Sequence, residues 1–288
     1  MCNKPGYGYY LSITGKIVFF LYINYRNETK VIFIRKLKKG KGRKMKINNE
    51  KLMTVDRYIR SYSGNQYKLI DLMKIDWVKN IIIDLKLPTT KELVDTITDD
   101  LFSFNFNKMT QINCIRQAYI RLFGFSCLSK EAVEDVVKYI AGRKVLEVCA
   151  GSGWNSKILN DAGIDIIATD NFSWEESTHT HCSSTWGGEK FINVEKIDAL
   201  KAIDKYTDRE IVLMSWPAYS DPLGALVLQK CIYKNLTLIY IGEDCGGCTA
   251  DDTFFDIIYK KELNMEPISN YYVPFDGIHD NIYSITKQ

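Results

Sequence analysis

The chain has 288 residues, 46% apolar and 12% aromatic, which is ample for a buried core and fits a soluble globular protein of one large domain or a domain with an appendage. Its net charge of +3 hides an asymmetry: residues 1–50 carry 12 Lys/Arg against 2 Asp/Glu, leaving 26 against 33 beyond them. A basic extension therefore precedes an acidic body, and an acidic body does not look like a nucleic-acid groove.

The first apolar stretch, Ile17 to Ile23, reads as a strand and falls far short of the roughly 20 residues a membrane helix needs. It is followed directly by Asn24-Tyr25-Arg26-Asn27, which is not the small-residue cleavage site of a signal peptide, and no membrane association is expected. Arg35 to Lys46 holds eight basic side chains in twelve residues. Three readings stay open for it: a solvated linker, an arm for nucleic acid or another anionic surface, or residues upstream of a start at Met45 or Met53. The solvated linker is favoured, and residues 1–45 are expected to be dispensable for folding. Cys114, Cys127, Cys149 and Cys231 lie in apolar surroundings and read as reduced thiols of an intracellular, cytoplasmic protein.

The chain divides into a basic extension over 1–50, a helical region over 51–142 and an α/β domain over 143–288. In the helical region, Lys91 to Phe102, Met109 to Phe123 and Ser129 to Ile140 repeat apolar residues every three or four positions, with Ser129 as N-cap and Gly142 closing the last helix. Arg116, Tyr119 and Arg121 are its polar side chains of interest.

Residues Lys144 to Asp170 are the stretch around which the α/β domain is organised. Val145, Leu146 and Val148 form a short strand, Ala150-Gly151-Ser152-Gly153 a tight turn, Trp154 to Asn160 a helix, and Ile164 to Ala168 a second strand ending in Asp170. A carboxylate at that strand end, about 20 residues after the turn, is placed to grip a ribose. Ser156 stands where a dinucleotide fingerprint has its third glycine, so a ligand without a pyrophosphate fits better. Further strands are expected over Lys190–Ile197, Glu210–Ser215 and Leu236–Ile241, with helices over Pro222–Asn235 and Thr249–Leu263. Ser269–Val273 and Asn281–Thr286 read as a closing hairpin about Pro274-Phe275-Asp276-Gly277.

The run Glu147-Val148-Cys149-Ala150-Gly151-Ser152-Gly153 resembles motif I of the class I S-adenosylmethionine-dependent methyltransferases, with Cys149 where that family has its first glycine. The resemblance covers residues 110–288. It implies a Rossmann-like, seven-stranded, mostly parallel sheet with helices on both faces and a reversed last strand, preceded by a helical N-terminal region. It also implies S-adenosylmethionine as donor. Glu147 would lie near the donor's amino-acid part, Ala150, Gly151 and Gly153 would allow its approach, Asp170 would take the ribose hydroxyls, and Asn171, Asp198 and Ala199 would meet the adenine. Gly153→Leu is expected to abolish donor binding with the fold intact. Ser215-Trp216-Pro217-Ala218-Tyr219 resembles the amino-methyltransferase motif Asn/Asp/Ser-Pro-Pro-aromatic, with Trp216 extra and Ala218 in place of the second proline. By that resemblance Ser215 accepts a hydrogen bond from an acceptor nitrogen, Trp216 and Tyr219 wall the pocket, and Pro217 shapes it. A binding or regulatory protein that kept the fold and lost catalysis is the alternative.

Two loops remain. His179, His181, Cys182, Cys245 and Cys248 are zinc-type ligands, but their spacing does not form a site and no metal is expected. Gly246 and Gly247 are expected to form a turn facing the active site, with Glu243 lining it.

Overall fold

The computed structural model describes residues 9–13, 16–25, 28–35, 47–98, 105–176, 190–219 and 221–287. Most of the Arg35–Lys46 run and the His179, His181 and Cys182 cluster lie outside the described residues. Strands β1 (Tyr9–Ile13), β2 (Lys16–Tyr25) and β3 (Glu28–Arg35) form an antiparallel meander in which β2 contains the expected Ile17–Ile23 strand.

Six helices come next: α1 (Asn49–Tyr62), α2 (Leu69–Leu72), α3 (Asp76–Asp84), α4 (Thr90–Ile97), α5 (Phe106–Leu122) and α6 (Lys130–Ile140). Several of their starts are set by side chains that satisfy free backbone amides. Asn48 accepts from Lys51 N, Thr89 and Glu92 form a reciprocal capping box, and Ser129 accepts from Ala132 N. The α6 helix ends at Ala141, whose left-handed backbone (φ +50°) precedes Gly142.

The α/β part runs β4 (Val145–Val148), α7 (Trp154–Asp161), β5 (Ile166–Asp170), α8 (Ser173–Glu176), β6 (Val194–Lys196), α9 (Ala199–Lys205), β7 (Ile211–Ser215), α10 (Leu223–Lys234), β8 (Thr237–Glu243), α11 (Asp252–Lys260), β9 (Asn264–Pro267) and β10 (Asp280–Thr286). The sheet order is β6-β5-β4-β7-β8-β10-β9; the pairs among β4 to β8 are parallel, and β10 is antiparallel to both its neighbours. This is the expected seven-stranded sheet with its reversed last strand.

One expectation fails in the tail. The sixth strand is Asn264–Pro267 rather than Ser269–Val273, so the chain does not close with a tight hairpin. Asn264-Met265-Glu266-Pro267 sits at the sheet edge, where exposure removes the apolar alternation and a proline is tolerated. The segment read as a strand is instead tied to the helices. Ser269 Oγ donates to Asp135, the Tyr271 carbonyl accepts from the Thr90 and Ser129 hydroxyls, and Asp276 N donates to Ile97 O.

Side-chain alternation along the strands separates two cores. Val145, Ile211, Leu213, Ile239 and Ile282 join the helical region in one continuous cluster, while Leu146, Val148, Val212, Met214 and Tyr240 pack with α9, α10 and α11 on the other face. Glu147 and Ser215, in step with the first set, therefore point to the helical side.

Candidate functional site

The strand order reverses at β4, and a cavity of about 260 Å³ opens there at the carboxyl ends of β4, β5 and β7. Its floor is the turn from β4 into α7. Cys149 (φ +56°), Gly151 (φ +55°) and Gly153 (φ +73°) all adopt left-handed backbone, and Gly153 N closes the turn on Ala150 O at 2.8 Å. Cys149 thus keeps the backbone a glycine would supply, at a cost of about 1 kcal/mol. Cys149→Gly should leave stability within about 1 kcal/mol, relief of strain offsetting the lost packing. Cys149→Val, β-branched at a positive φ, should cost about 2 kcal/mol, read by urea denaturation.

The two glycines do different work. A Cβ at Gly151 would project into open space at the cavity, whereas one at Gly153 would meet the Ile192 and Val194 methyl groups at 2.7 and 2.8 Å. The expectation that Gly153→Leu spares the fold is therefore corrected: Gly153 is buried against the β6 approach and is a packing glycine.

Asp170 ends β5 beside this turn and is 5% exposed. One carboxylate oxygen accepts from Gly151 N at 2.7 Å, and the other from Phe172 N at 2.6 Å and Trp174 Nε1 at 3.2 Å. Asn171 lines the cavity next to it, its side chain accepting from Ser173 N.

Glu147 lies beneath the turn, 1% exposed. Its Oε2 accepts from Ser156 N (3.0 Å) and Ser156 Oγ (2.5 Å), and its Oε1 from Asn155 Nδ2 (3.3 Å). Ser156 thus serves Glu147 and leaves no third glycine for a phosphate to approach. Burial pushes the Glu147 carboxyl up to about 7, the Ser156 and Asn155 hydrogen bonds oppose the rise, and the Asp170 carboxylate adds to it. Because the folded state holds this proton more tightly than the unfolded chain, stability is intact below the ordinary value of 4.5 and declines as pH rises to about 7. The free energy of unfolding of the wild type relative to Glu147→Gln should fall by roughly 3 kcal/mol between about pH 4.5 and about pH 8, measured by urea titration at each pH.

At the other end of the cavity, β7 ends in Ser215, whose Oγ donates to Ser126 Oγ at 3.3 Å. Trp216 follows in left-handed backbone (φ +51°), stacked on Phe125 with ring centres 5.2 Å apart and with Arg116 Cζ 5.6 Å from its ring. Its indole N–H donates to Asp280 Oδ2 at 3.0 Å, and Tyr272 OH donates to the same oxygen. Ser215, Trp216 and Pro217 line the cavity; Tyr219 does not, and is 47% exposed. The aromatic wall expected from Tyr219 comes instead from Phe125.

Other expected residues sit elsewhere. Asp198 caps α9, accepting from Leu200 N and Lys201 N, and neither it nor Ala199 lines the cavity. Glu243 accepts from Cys248 N and His279 N, away from the cavity, and a Cβ on Gly247 would strike the Glu243 side chain. The Gly246-Gly247 turn therefore wraps a carboxylate. No group of three or more His, Cys, Asp or Glu suited to a metal occurs among the described residues. Of the helical residues of interest, Arg121 lines the cavity with its guanidinium on the Tyr58 ring, and buried Tyr119 accepts from Trp154 Nε1. Ser126, Asn155 and Phe125 carry no motif that would single them out in the sequence.

A glycine turn beneath the first strand, a carboxylate ending the second, and a seven-stranded sheet whose reversed last strand is inserted beside the fifth occur together here. The fold is that of the class I methyltransferases. Neither a protein-family model nor a curated protein matches the chain. Among solved structures it is similar to magnesium protoporphyrin IX methyltransferase from Synechocystis PCC 6803 with bound S-adenosylmethionine, at 11% identity over 81% of this chain and 97% of that one, TM-score 0.35. It is also similar to an S-adenosylmethionine-dependent methyltransferase from Archaeoglobus fulgidus (15% identity, 55% and 95%, TM-score 0.35) and to an uncharacterised protein from Listeria monocytogenes serotype 4b (14%, 56% and 68%, TM-score 0.37). The fold assignment rests on strand order and turn geometry. Among the described residues no helix is long and apolar enough to cross a membrane.

Proposed function

We propose that the protein transfers a methyl group from S-adenosylmethionine to an acceptor nitrogen. The observation that carries this reading is the Asp170 carboxylate held to Gly151 N at a cavity whose glycine floor is open on the ligand side. Asp170 would accept from a ribose hydroxyl with the remaining lone pair of the oxygen bonded to Gly151 N, Gly151 would let the donor lie against the backbone, and Asn171 would border the base. The donor supplies an electrophilic methyl group on a positively charged sulfur.

The chain's own residues then have two tasks. They align the nucleophile with the methyl carbon, and they stabilise the positive charge that reaches the nitrogen. Ser215, Trp216 and Phe125, which line the cavity, would serve both, and neither task needs a strong base. The left-handed backbone at Cys149 preserves the turn despite the missing glycine, as donor binding requires.

Calorimetric titration with S-adenosylhomocysteine tests donor binding, and tritium transfer to a panel of amines, nucleobases and peptides tests catalysis. Ser215→Ala should abolish transfer while keeping donor affinity within several-fold. Binding of a nicotinamide cofactor with no heat from the homocysteine nucleoside would sink the reading. Donor binding without transfer to any acceptor would assign the binding role instead.

A further inference from the structure

The proposed acceptor residue is linked to a buried carboxylate by a chain of hydrogen bonds that has a direction. Glu147 and Ser215 point to the same side of adjacent strands, and two residues from outside the sheet bridge them. Above about pH 7, where Glu147 is ionised, its carboxylate can only accept, so Asn155 must turn its amide nitrogen to Glu147 Oε1 (3.3 Å) and its carbonyl oxygen away. That oxygen accepts the single proton of Ser126 at 3.1 Å. With its proton spent, Ser126 can only accept from Ser215, at 3.3 Å, and Ser215 has no further proton. The chain is nearly dry: Ser126, Asn155 and Glu147 are 2%, 8% and 1% exposed, so water does not easily substitute for a missing link.

We propose that Glu147, Asn155 and Ser126 are positioning residues that fix Ser215 as a pure hydrogen-bond acceptor toward the cavity, so that the methylated group must itself donate a hydrogen bond there. This rests on the methyltransferase reading and narrows it. Among nitrogen nucleophiles the site takes a primary or secondary amine or a nucleobase amino group, and it rejects a tertiary amine or a thioether. The N–H bonded to Ser215 fixes the nitrogen's rotation and aims its lone pair at the methyl carbon. That lone pair forms the new N–C bond while the carbon–sulfur bond breaks and its electron pair returns to sulfur. The nitrogen then carries the positive charge, and one of its protons leaves to water.

A donor analogue reads this polarity with no knowledge of the acceptor. Sinefungin carries an amine on carbon where the sulfonium and its methyl would be, so its N–H groups probe the space before Ser215, whereas S-adenosylhomocysteine leaves that space empty. Calorimetry on the full chain at about pH 8.5, where Glu147 is ionised, should show sinefungin binding about tenfold more tightly than S-adenosylhomocysteine, the size of one charge-assisted hydrogen bond. Ser215→Ala should remove the preference with S-adenosylhomocysteine affinity within about twofold. Ser126→Ala frees the Ser215 proton to turn into the cavity and should cut the preference about fivefold, while Ser126→Thr, which keeps a hydroxyl, should restore it. Glu147→Gln, whose amide donates to Asn155 and reverses the chain, should abolish it. Equal wild-type affinities, or a preference unmoved by Ser126→Ala, overturn the inference and leave the methyltransferase reading standing. A wild type that binds neither nucleoside overturns both. Should Glu147→Gln fail to fold, the Ser126 pair decides the matter alone.

Discussion

Gly153→Ala is expected to lower the melting temperature by roughly 5–15 °C, a large effect for a single methyl group. A left-handed residue with a Cβ costs roughly 1–2 kcal/mol. Forcing that Cβ into contacts of 2.7 and 2.8 Å with Ile192 and Val194 adds about 1–3 kcal/mol. For a domain of this size each kcal/mol moves the midpoint by roughly 2–4 °C. Gly151→Ala is the control. Its φ of +55° carries the backbone cost alone, because its Cβ would point into open space, so it should lose only a few degrees while obstructing the ligand. Scanning calorimetry of the two variants, with and without S-adenosylhomocysteine, separates packing from approach. Equal loss of stability in both would refute the division of roles.

Asp170→Ala is expected to weaken S-adenosylhomocysteine binding about 10- to 100-fold. A ribose hydroxyl donating to the one carboxylate lone pair not taken by Gly151, Phe172 and Trp174 contributes roughly 1.5–3 kcal/mol on the proposed role. The same carboxylate fixes Gly151, Phe172 and the Trp174 indole, so its removal also frees the turn and the start of α8. Asp170→Asn keeps one carbonyl oxygen and should fall between the two. Isothermal titration provides the measurement, and an Asp170→Ala affinity within about threefold of wild type would remove Asp170 from the ribose site.

Much of the sheet was legible because its signals are local. Val145-Leu146-Glu147-Val148 with Gly151 and Gly153, the carboxylate at 170, and the apolar runs ending at Ser215 and Glu243 each declare a strand and its carboxyl end. The hidden parts depend on tertiary partners. Ser126 sits in a connection with no periodicity, and its place between Asn155 and Ser215 depends on how α5 packs on the glycine turn, where Ser152 Oγ donates to Phe123 O. Asn155 looks like an ordinary helical residue until Glu147 turns its amide. Asn264–Pro267 carries no strand pattern because it is an exposed edge held only by β10 among the described residues. Tyr219 and Tyr271 misled in the same way, since an aromatic beside a proline or in an apolar run reads equally well as pocket wall, strand or surface.

The position of β10 bears on how the protein emerges from the ribosome. Strands β4 to β8 can pair in order of synthesis, each parallel neighbour arriving with its helix. β9 must wait, because its only described partner is made later and slots between it and β8. The same late strand begins with Asp280, the carboxylate that holds the Trp216 indole at the cavity wall. A nascent chain paused before residue 280 would carry its glycine turn and Asp170 already in place, yet leave Trp216 untethered. Capacity to hold a nucleoside would then precede, during translation, the capacity to present a finished acceptor pocket.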